Sequence, residues 1–260
     1  MINTVILAGG HGSRISEETI NKPKPLIHIG QNPIIWHLIK HFTKYGHKNF
    51  MIAGGYKIEM LKDYFFNLNK LNDDFDINYK TGLVNNFSKK NLDWKVGVYN
   101  TGLNSQTGSR LKKLESYLNL KNKNDFFLMT YGDGFCDVNI NNLIKFHKKN
   151  GKIATVTAVR PPARFGYLQI VNGKVKNFKE KKQSNEGWIN GGFFVLSRDI
   201  FRYLSIDDSC VFENEPLENL SKDGELMAYE HEGFWQCMDT KRDHDYLQNL
   251  NLKRIEYFND

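Results

Sequence analysis

A chain of 260 residues with 40% hydrophobic and 25% charged side chains has the composition of a soluble globular domain able to bury a core, which excludes a fibrous or disordered protein. No apolar run approaches the roughly 20 residues that span a bilayer, so a membrane helix is excluded as well. The net charge of +7 comes from lysines scattered in short clusters (Lys112-Lys113, Lys148-Lys149, Lys179 with Lys181-Lys182), without an RNA-binding aromatic motif or a helix-turn-helix signature, so the expected partner is a small anionic nucleotide and not nucleic acid.

In chain order, Thr4 to Ala8 predicts a short buried strand that stops at two glycines. Asn32 and Pro33 predict the opening of a helix, a capping side chain followed by proline at the first helical position. Ile34, Ile35, Leu38, Ile39, Phe42 and Tyr45 follow at helical spacing, and Gly46 closes the run. Asn49 to Ala53 predicts a strand, Ile58 to Leu68 an amphipathic helix, and Phe75 to Tyr79 another strand, so the first eighty residues read as a parallel sheet with crossover helices. Residues 81 to 93 are polar and read as an irregular excursion, after which Trp94 to Asn100 resumes the sheet. Gly102 to Gly108 reads as a loop and Ser109 to Leu118 as a helix. Phe126 to Tyr131 is a dense apolar run, the mark of a strand buried on both faces, and it ends at Gly132-Asp133-Gly134. A helix over Asn139 to Lys149 and a strand over Ile153 to Val159 follow.

After Pro161-Pro162 the texture changes. Gly166 to Val171, Lys174 to Phe178 and Trp188 to Leu196 predict consecutive strands joined by tight turns. Two short helices (Ile200 to Leu204, Pro216 to Lys222), two short strands (Leu226 to Glu230, Phe234 to Met238) and a last helix (Arg242 to Leu252) complete the chain. The expected fold class is α/β, with a Rossmann-like open, mostly parallel sheet, helices on both faces and a β-rich second half. One domain over residues 1–260 is expected, its texture changing near residue 161. Cys136, Cys210 and Cys237 form an odd set without a CxxC pair, and the N-terminus lacks a signal peptide, so reduced thiols and a cytoplasmic location are expected.

The stretch Leu7-Ala8-Gly9-Gly10-His11-Gly12-Ser13-Arg14 carries the first chemical signal. Bare glycines after a buried strand leave backbone N–H groups unobstructed, a nest for phosphate oxygens, and Arg14 adds a permanent cation. Asn21-Lys22-Pro23-Lys24-Pro25 places two more cations on proline-stiffened extended chain. The spacing is not that of a P-loop, and Ile15 stands where a dinucleotide fingerprint needs its third glycine. On the glycines alone, a plain strand-to-loop turn explains the stretch equally well.

Asp133 lies just past a buried strand, where open α/β sheets bind ligands; it is a candidate Mg²⁺ ligand or a turn cap. Asp239 also follows an apolar run, and reads either as the N-cap of the last helix or, paired with Asp133, as a second metal ligand. Glu180-Lys181 reads as an exposed pair in a lysine-rich run, or as a ligand contact. Asn190-Gly191-Gly192 interrupts a strand, the mark of a bulge or of a close approach to a ligand. His37 and His41 sit four residues apart on a helix but lack the rest of an H-E-x-x-H pattern, and no third ligand is evident.

Taken together, Leu7 to Arg14, Lys24, Thr107-Gly108-Ser109-Arg110, Tyr131 to Gly134, Glu180-Lys181, Asn190 to Gly192 and Met238-Asp239-Thr240 resemble, in order and over nearly the whole chain, the sugar-1-phosphate nucleotidyltransferases. Lys22 to Pro25, Arg164-Phe165-Gly166 and Phe234-Trp235-Gln236 are similar to the cytidylyltransferase subgroup acting on glucose 1-phosphate. Ser13 stands where threonine is commoner, and Lys182 where proline often follows Glu-Lys. The resemblance implies that CTP and glucose 1-phosphate give CDP-glucose and pyrophosphate, with UTP, dTTP or another hexose phosphate, or a non-catalytic nucleotide-binding subunit, as alternatives. It implies that residues 1–160 bind nucleotide and 161–260 the sugar phosphate. Leu7, Ala8, Gly9, Gly10, His11, Gly12, Ser13 and Arg14 would hold the triphosphate, with Arg14, Lys24 and Asp133 catalytic. Ser105, Gly108 and Arg110 would lie at the nucleoside, Arg110 donating to the cytosine carbonyl. Tyr131, Glu180, Lys181, Asn190, Gly191 and Gly192 would hold the sugar phosphate. Asp133 and Asp239 would hold Mg²⁺. A homo-oligomer is implied, with no nucleic-acid or membrane partner, and residues 81–93 either mobile or at a subunit contact.

Overall fold

The first strand, β1 (Asn3–Ala8), is buried from Thr4 onward and sends alternate side chains to opposite faces of a seven-stranded sheet. The computed structural model describes residues 2–12, 19–72, 74–87, 92–160, 167–171, 173–179 and 187–252. On one face Ile6 and Ala8 pack with Phe50, Ile52, Leu128, Phe193 and Val195. On the other, Val5 and Leu7 pack with Met51, Ala53, Phe127, Met129, Phe194 and Leu196. A sheet apolar on both faces must be covered on both.

One cover consists of α1 (Ile34–Lys44), α2 (Ile58–Asn72) and α5 (Ile140–Asn150). The other consists of α3 (Thr107–Lys113), α4 (Glu115–Leu118), α6 (Glu215–Lys222) and the segment around Ile200 and Phe212. Between them the sheet runs β14 (Leu226–His231), β10 (Ala154–Val159), β13 (Ile189–Ser197), β8 (Phe126–Tyr131), β1, β4 (Asn49–Gly54), β7 (Lys95–Asn100). All adjacent pairs are parallel except those made by β13, which runs against both β10 and β8. The expected α/β class, mostly parallel sheet and helices on both faces are therefore what the chain adopts.

The details differ from expectation in four places. Helix α1 has Pro33 at its N-cap, without a side-chain cap, because Asn32–Pro33 (β3) pairs with His28–Ile29 (β2) in a two-residue ribbon. The strand expected at residues 75–79 does not join the main sheet. Asp74–Asn78 (β5) pairs instead with Leu83–Phe87 (β6), within the stretch that read as irregular. Asn78 makes the turn, its Oδ1 accepting the N–H groups of Lys80 and Thr81, and Gly82 follows at φ +72°. The helix expected over residues 109–118 breaks at Leu114 into α3 and α4. Finally, Tyr167–Val171 (β11) and Lys174–Lys179 (β12) form a hairpin of their own, while β13 leaves it to enter the centre of the sheet.

Because β13 is reversed, its first residues lie at the same edge as the last residues of β1, β4, β7, β8 and β10. The ribbon of β9 (Gly134–Cys136) and β15 (Trp235–Cys237) closes that edge. A small third cluster of Ile27, Ile29, Ile34, Met238 and Leu247 docks the last helix, α7 (Lys241–Leu252), beside it.

Candidate active site

Lys24 opens a one-turn 3₁₀ helix (Lys24–Leu26), held by the Leu26 N–H on the Pro23 carbonyl and the Ile27 N–H on Lys24. Pro25 packs against Gly132, where a Cβ would approach the Pro25 ring and the Leu7 carbonyl to 3.0 Å. This fixes the lysine over the end of β8. The β9–β15 ribbon then sets the acids: Gly134 pairs with Cys237, and the Met238 N–H donates to the Asp133 carbonyl at 2.8 Å. Asp133 and Asp239 thus leave the same end of the ribbon, one from each strand. Both carboxylates reach Lys24 Nζ, Asp133 Oδ2 at 2.7 Å and Asp239 Oδ1 at 2.6 Å. Lys24 is only 8% exposed. Burial alone would lower its ammonium, but Asp133 and Asp239 outweigh burial and raise it above the ordinary lysine value.

Asp239 is not the cap of α7. Thr240 holds that position in a reciprocal box: its Oγ1 accepts the Asp243 N–H at 3.2 Å, and the Asp243 carboxylate accepts the N–H groups of Thr240 (2.9 Å) and Asp239 (3.2 Å). The Asp239 side chain is thereby not spent on the cap, and its Oδ1 reaches Lys24. Helix α7 is tied down further by Gln248, which donates to the His28 carbonyl and accepts from the Gly30 N–H.

Two carboxylates converging on one point make a hard-cation donor set, which suits Mg²⁺ with water and phosphate oxygens completing the shell. A divalent ion bound by both would compete with the Lys24 ammonium for the same oxygens. The other candidates do not fit a metal. Among the described residues, Cys136, Asp137 and His231 place ligand atoms within 4.8 Å of one another. Burial holds the Cys136 thiol well above its ordinary value, and Asp137 is taken by His231 Nε2 at 2.7 Å. His37 and His41 each set Nε2 on a different backbone carbonyl, of Ile29 and of Val138.

The glycine loop lies beside this centre. Gly12 takes φ +65°, and a Cβ there would meet Thr19 Cγ2 at 2.7 Å and Lys24 Cβ at 3.4 Å. Gly10 is exposed, and a Cβ on it would meet nothing among the described residues. His11 leans on the Tyr56 ring, centroids 4.9 Å apart. Ser13 and Arg14 lie outside the described residues, as do Glu180 and Lys181.

Arg110 sits beneath the loop. Its Nη2 donates to the Gly9 carbonyl at 2.9 Å and to Leu103; its Nη1 donates to Gly102 at 2.7 Å, to Thr101 Oγ1 and to Gly54. Side chains at Gly9 or Gly55 would overlap the guanidinium. The residue thus clamps the ends of β1, β4 and β7 together, and a contact from Nη1 or Nη2 to a base has to replace one of these bonds. Burial lowers its guanidinium, with Asp208 opposing. Ser105 is turned inward to the Thr101 carbonyl (2.5 Å), Asp208 (2.6 Å) and Lys113. Gly108 donates its N–H to the Cys210 carbonyl at 3.0 Å and packs on Cys210. Its amide, expected at the nucleoside, is thus committed to the protein.

Tyr131, Asn190, Gly191 and Gly192 lie together. Tyr131 closes β8, and Asn190 Nδ2 donates to its hydroxyl at 3.3 Å. Asn190 Oδ1 accepts the Gly192 N–H at 2.8 Å. Gly192 makes a bulge at φ +84° with its backbone against the Tyr131 ring, and the Gly191 carbonyl accepts Trp235 Nε1 at 2.8 Å. Glu213, which the sequence did not single out, joins this group: its carboxylate accepts from the Tyr131 hydroxyl and from Thr107 Oγ1 (2.6 Å). Glu213-Asn214-Glu215-Pro216 reads only as a helix start, so nothing local signals that role.

Comparison with known proteins identifies the family. The nucleotidyl transferase family matches residues 3–240. A glucose-1-phosphate cytidylyltransferase of Salmonella typhi is 45% identical over 249 residues, covering 96% of this chain and 95% of the relative. A probable glucose-1-phosphate cytidylyltransferase of Bacillus subtilis is 41% identical over 239 residues, 92% of each. The crystal structure of HddC from Yersinia pseudotuberculosis superposes with a TM-score of 0.68 at 22% identity, over 96% of this chain and 99% of that one, which supports the fold alone.

Proposed function

Because the chain belongs to the nucleotidyl transferase family, we propose that it makes CDP-glucose and pyrophosphate from CTP and glucose 1-phosphate. The observation that carries the chemistry is the Lys24 ammonium held between Asp133 and Asp239 at the carboxyl edge of the sheet, against the bare glycine loop. A phosphate oxygen of the sugar, already anionic, attacks the α-phosphorus of the nucleotide in line; the bond to the bridging oxygen breaks and pyrophosphate leaves. No general base is required. The work is to align two polyanions and to stabilise charge that develops on the α-phosphate and the leaving group.

In this reading the backbone from Leu7 to Gly12, with Ser13 and Arg14, binds the triphosphate. Lys24 and Arg14 draw charge from the α-phosphate and pyrophosphate. Tyr131, Glu180, Lys181 and Asn190 to Gly192 receive the sugar phosphate. Asp133 and Asp239 would hold Mg²⁺, which supplies charge neutralisation at the phosphates when bound. Arg110, Ser105 and Gly108 shape the nucleoside end by holding the loops that surround it.

We also propose a reducing, cytoplasmic setting and a homo-oligomer. The three cysteines are free, and no helix among the described residues is long and apolar enough to cross a membrane. Phe66, Tyr79 and Leu83 are 78%, 89% and 65% exposed on α2 and the β5–β6 hairpin, apolar surface that a second copy would cover.

The test is pyrophosphate release from the purified protein with Mg²⁺ and glucose 1-phosphate, with CTP, UTP, dTTP, ATP or GTP. Release with CTP far faster than with the others is expected. Faster release with UTP or dTTP overturns the base assignment and keeps the chemistry. Nucleotide binding without release from any nucleotide or hexose 1-phosphate replaces the enzyme with a regulatory subunit.

A further inference from the structure

We propose that Glu213 is a positioning residue for the hexose phosphate, acting through Tyr131 and Asn190 by fixing the direction of their hydrogen bonds. This rests on the reading that Tyr131 and Asn190 receive the sugar.

A carboxylate only accepts, and both Glu213 oxygens are engaged, one by Tyr131 and the other by Thr107. Each neighbour can be oriented in turn. Thr107 Oγ1 accepts the Phe212 N–H at 2.9 Å, so its single proton points to Glu213. The Asn190 amide is oriented by the Gly192 N–H on its Oδ1, which turns Nδ2 toward the Tyr131 hydroxyl. The phenol oxygen accepts there, and its single proton goes to Glu213. Two donor chains therefore run inward and end on one carboxylate, one from the start of α3 and one from the reversed strand β13.

The consequence is at the open end. Asn190 is exposed and its amide has a second N–H, so this corner presents a donor and the phenol oxygen presents a lone pair. The phenol proton is withheld. A sugar hydroxyl that accepts from Asn190 and donates to Tyr131 matches the pattern. Glutamine at 213 has nearly the shape of glutamate but one oxygen and one NH₂, so it cannot accept from both Tyr131 and Thr107. One chain must reverse.

The experiment compares the wild-type enzyme with E213Q, Y131F and E213Q/Y131F in steady-state pyrophosphate release, varying each substrate, with thermal melts of all four. Wild-type turnover of glucose 1-phosphate comes first; its absence removes the underlying reading, not this inference about Glu213. Given that turnover, E213Q is expected to raise KM for glucose 1-phosphate about tenfold, the loss of one charge-assisted hydrogen bond, with KM for the nucleotide and the melting temperature unchanged. In the Y131F background the same change is expected to raise that KM little further, because the path from Glu213 to Asn190 is already cut. An unchanged sugar KM in E213Q overturns the proposal. So does an equal rise in both KM values with a lowered melting temperature, which marks a residue that merely holds the loop.

Discussion

Lys24 is the residue on which the centre depends, and its removal has two separable effects. Without the ammonium, the carboxylates of Asp133 and Asp239 face each other across the gap that Nζ filled at 2.6–2.7 Å, and their repulsion draws in a cation. Lys24→Ala is expected to lower kcat about a thousandfold, the scale of losing a preorganised electrostatic contact. Circular dichroism should report a fold left intact, and residual turnover within tenfold of wild type would remove Lys24 from the chemistry. Gly192 tests the opposite kind of residue, one that matters by having no side chain. At φ +84°, with Tyr131 Cδ2 2.6 Å from where a Cβ would sit, Gly192→Ala is expected to cost about 2 kcal/mol in a urea titration. A sugar KM raised in the same variant would follow from displacing the Tyr131 ring.

At the level of elements, α7 is a holder for Asp239. Its capping box is local, so Thr240→Ala is expected to cost about 1 kcal/mol of stability. Asp239 is one residue away and its N–H rests on the same Asp243 carboxylate, so kcat should fall as well. Urea midpoints and initial rates measured on one preparation would separate the two effects. The elements themselves were mostly legible in the chain. Phe126 to Tyr131 announces a central strand by its density of apolar residues, and the run from Ile34 to Phe42 announces α1 by its spacing. What could not be read was pairing. Phe75 to Asn78 alternates like any half-buried strand, yet pairs with Leu83–Phe87 outside the main sheet, because register and partner are properties of two segments and not of one. The reversal of β13 is hidden for the same reason: an apolar strand has the same composition in either direction.

Across the whole molecule, stability should depend on pH through two buried histidines. Burial pushes His41 down to about 4, against the opposing pull of the Val138 carbonyl, and pushes His147 down to about 4 with Lys148 adding to it. The folded state therefore binds fewer protons than the unfolded chain between about pH 6.5 and 4. Stability is fully present above about pH 6.5 and falls as the pH drops through that window, by roughly 3 kcal/mol for each ring. Urea midpoints taken between pH 7.5 and 4.5 should decline, and His41→Gln or His147→Gln should flatten the decline. The site shows the same division between local and distant information. Gly9 to Gly12, Lys24, Asp133 and Asp239 are legible as candidates because they stand in short motifs that resemble a family's. Glu213 and the clamp formed by Arg110 do not, since their partners lie 82 and 101 residues away along the chain.

The reversed strand β13 also sets an order of assembly. During synthesis β1, β4, β7 and β8 leave the ribosome first and can lie side by side, but the other edge of β8 waits for residues 189–197. Until they arrive, Phe126 to Met129 offer unpaired backbone groups as a template for any neighbouring nascent chain. Asp239 arrives later still. An unfinished chain therefore has its glycine loop and Lys24 but lacks one of the acids that hold that lysine, and the hazard of its open seam ends before its chemistry can begin.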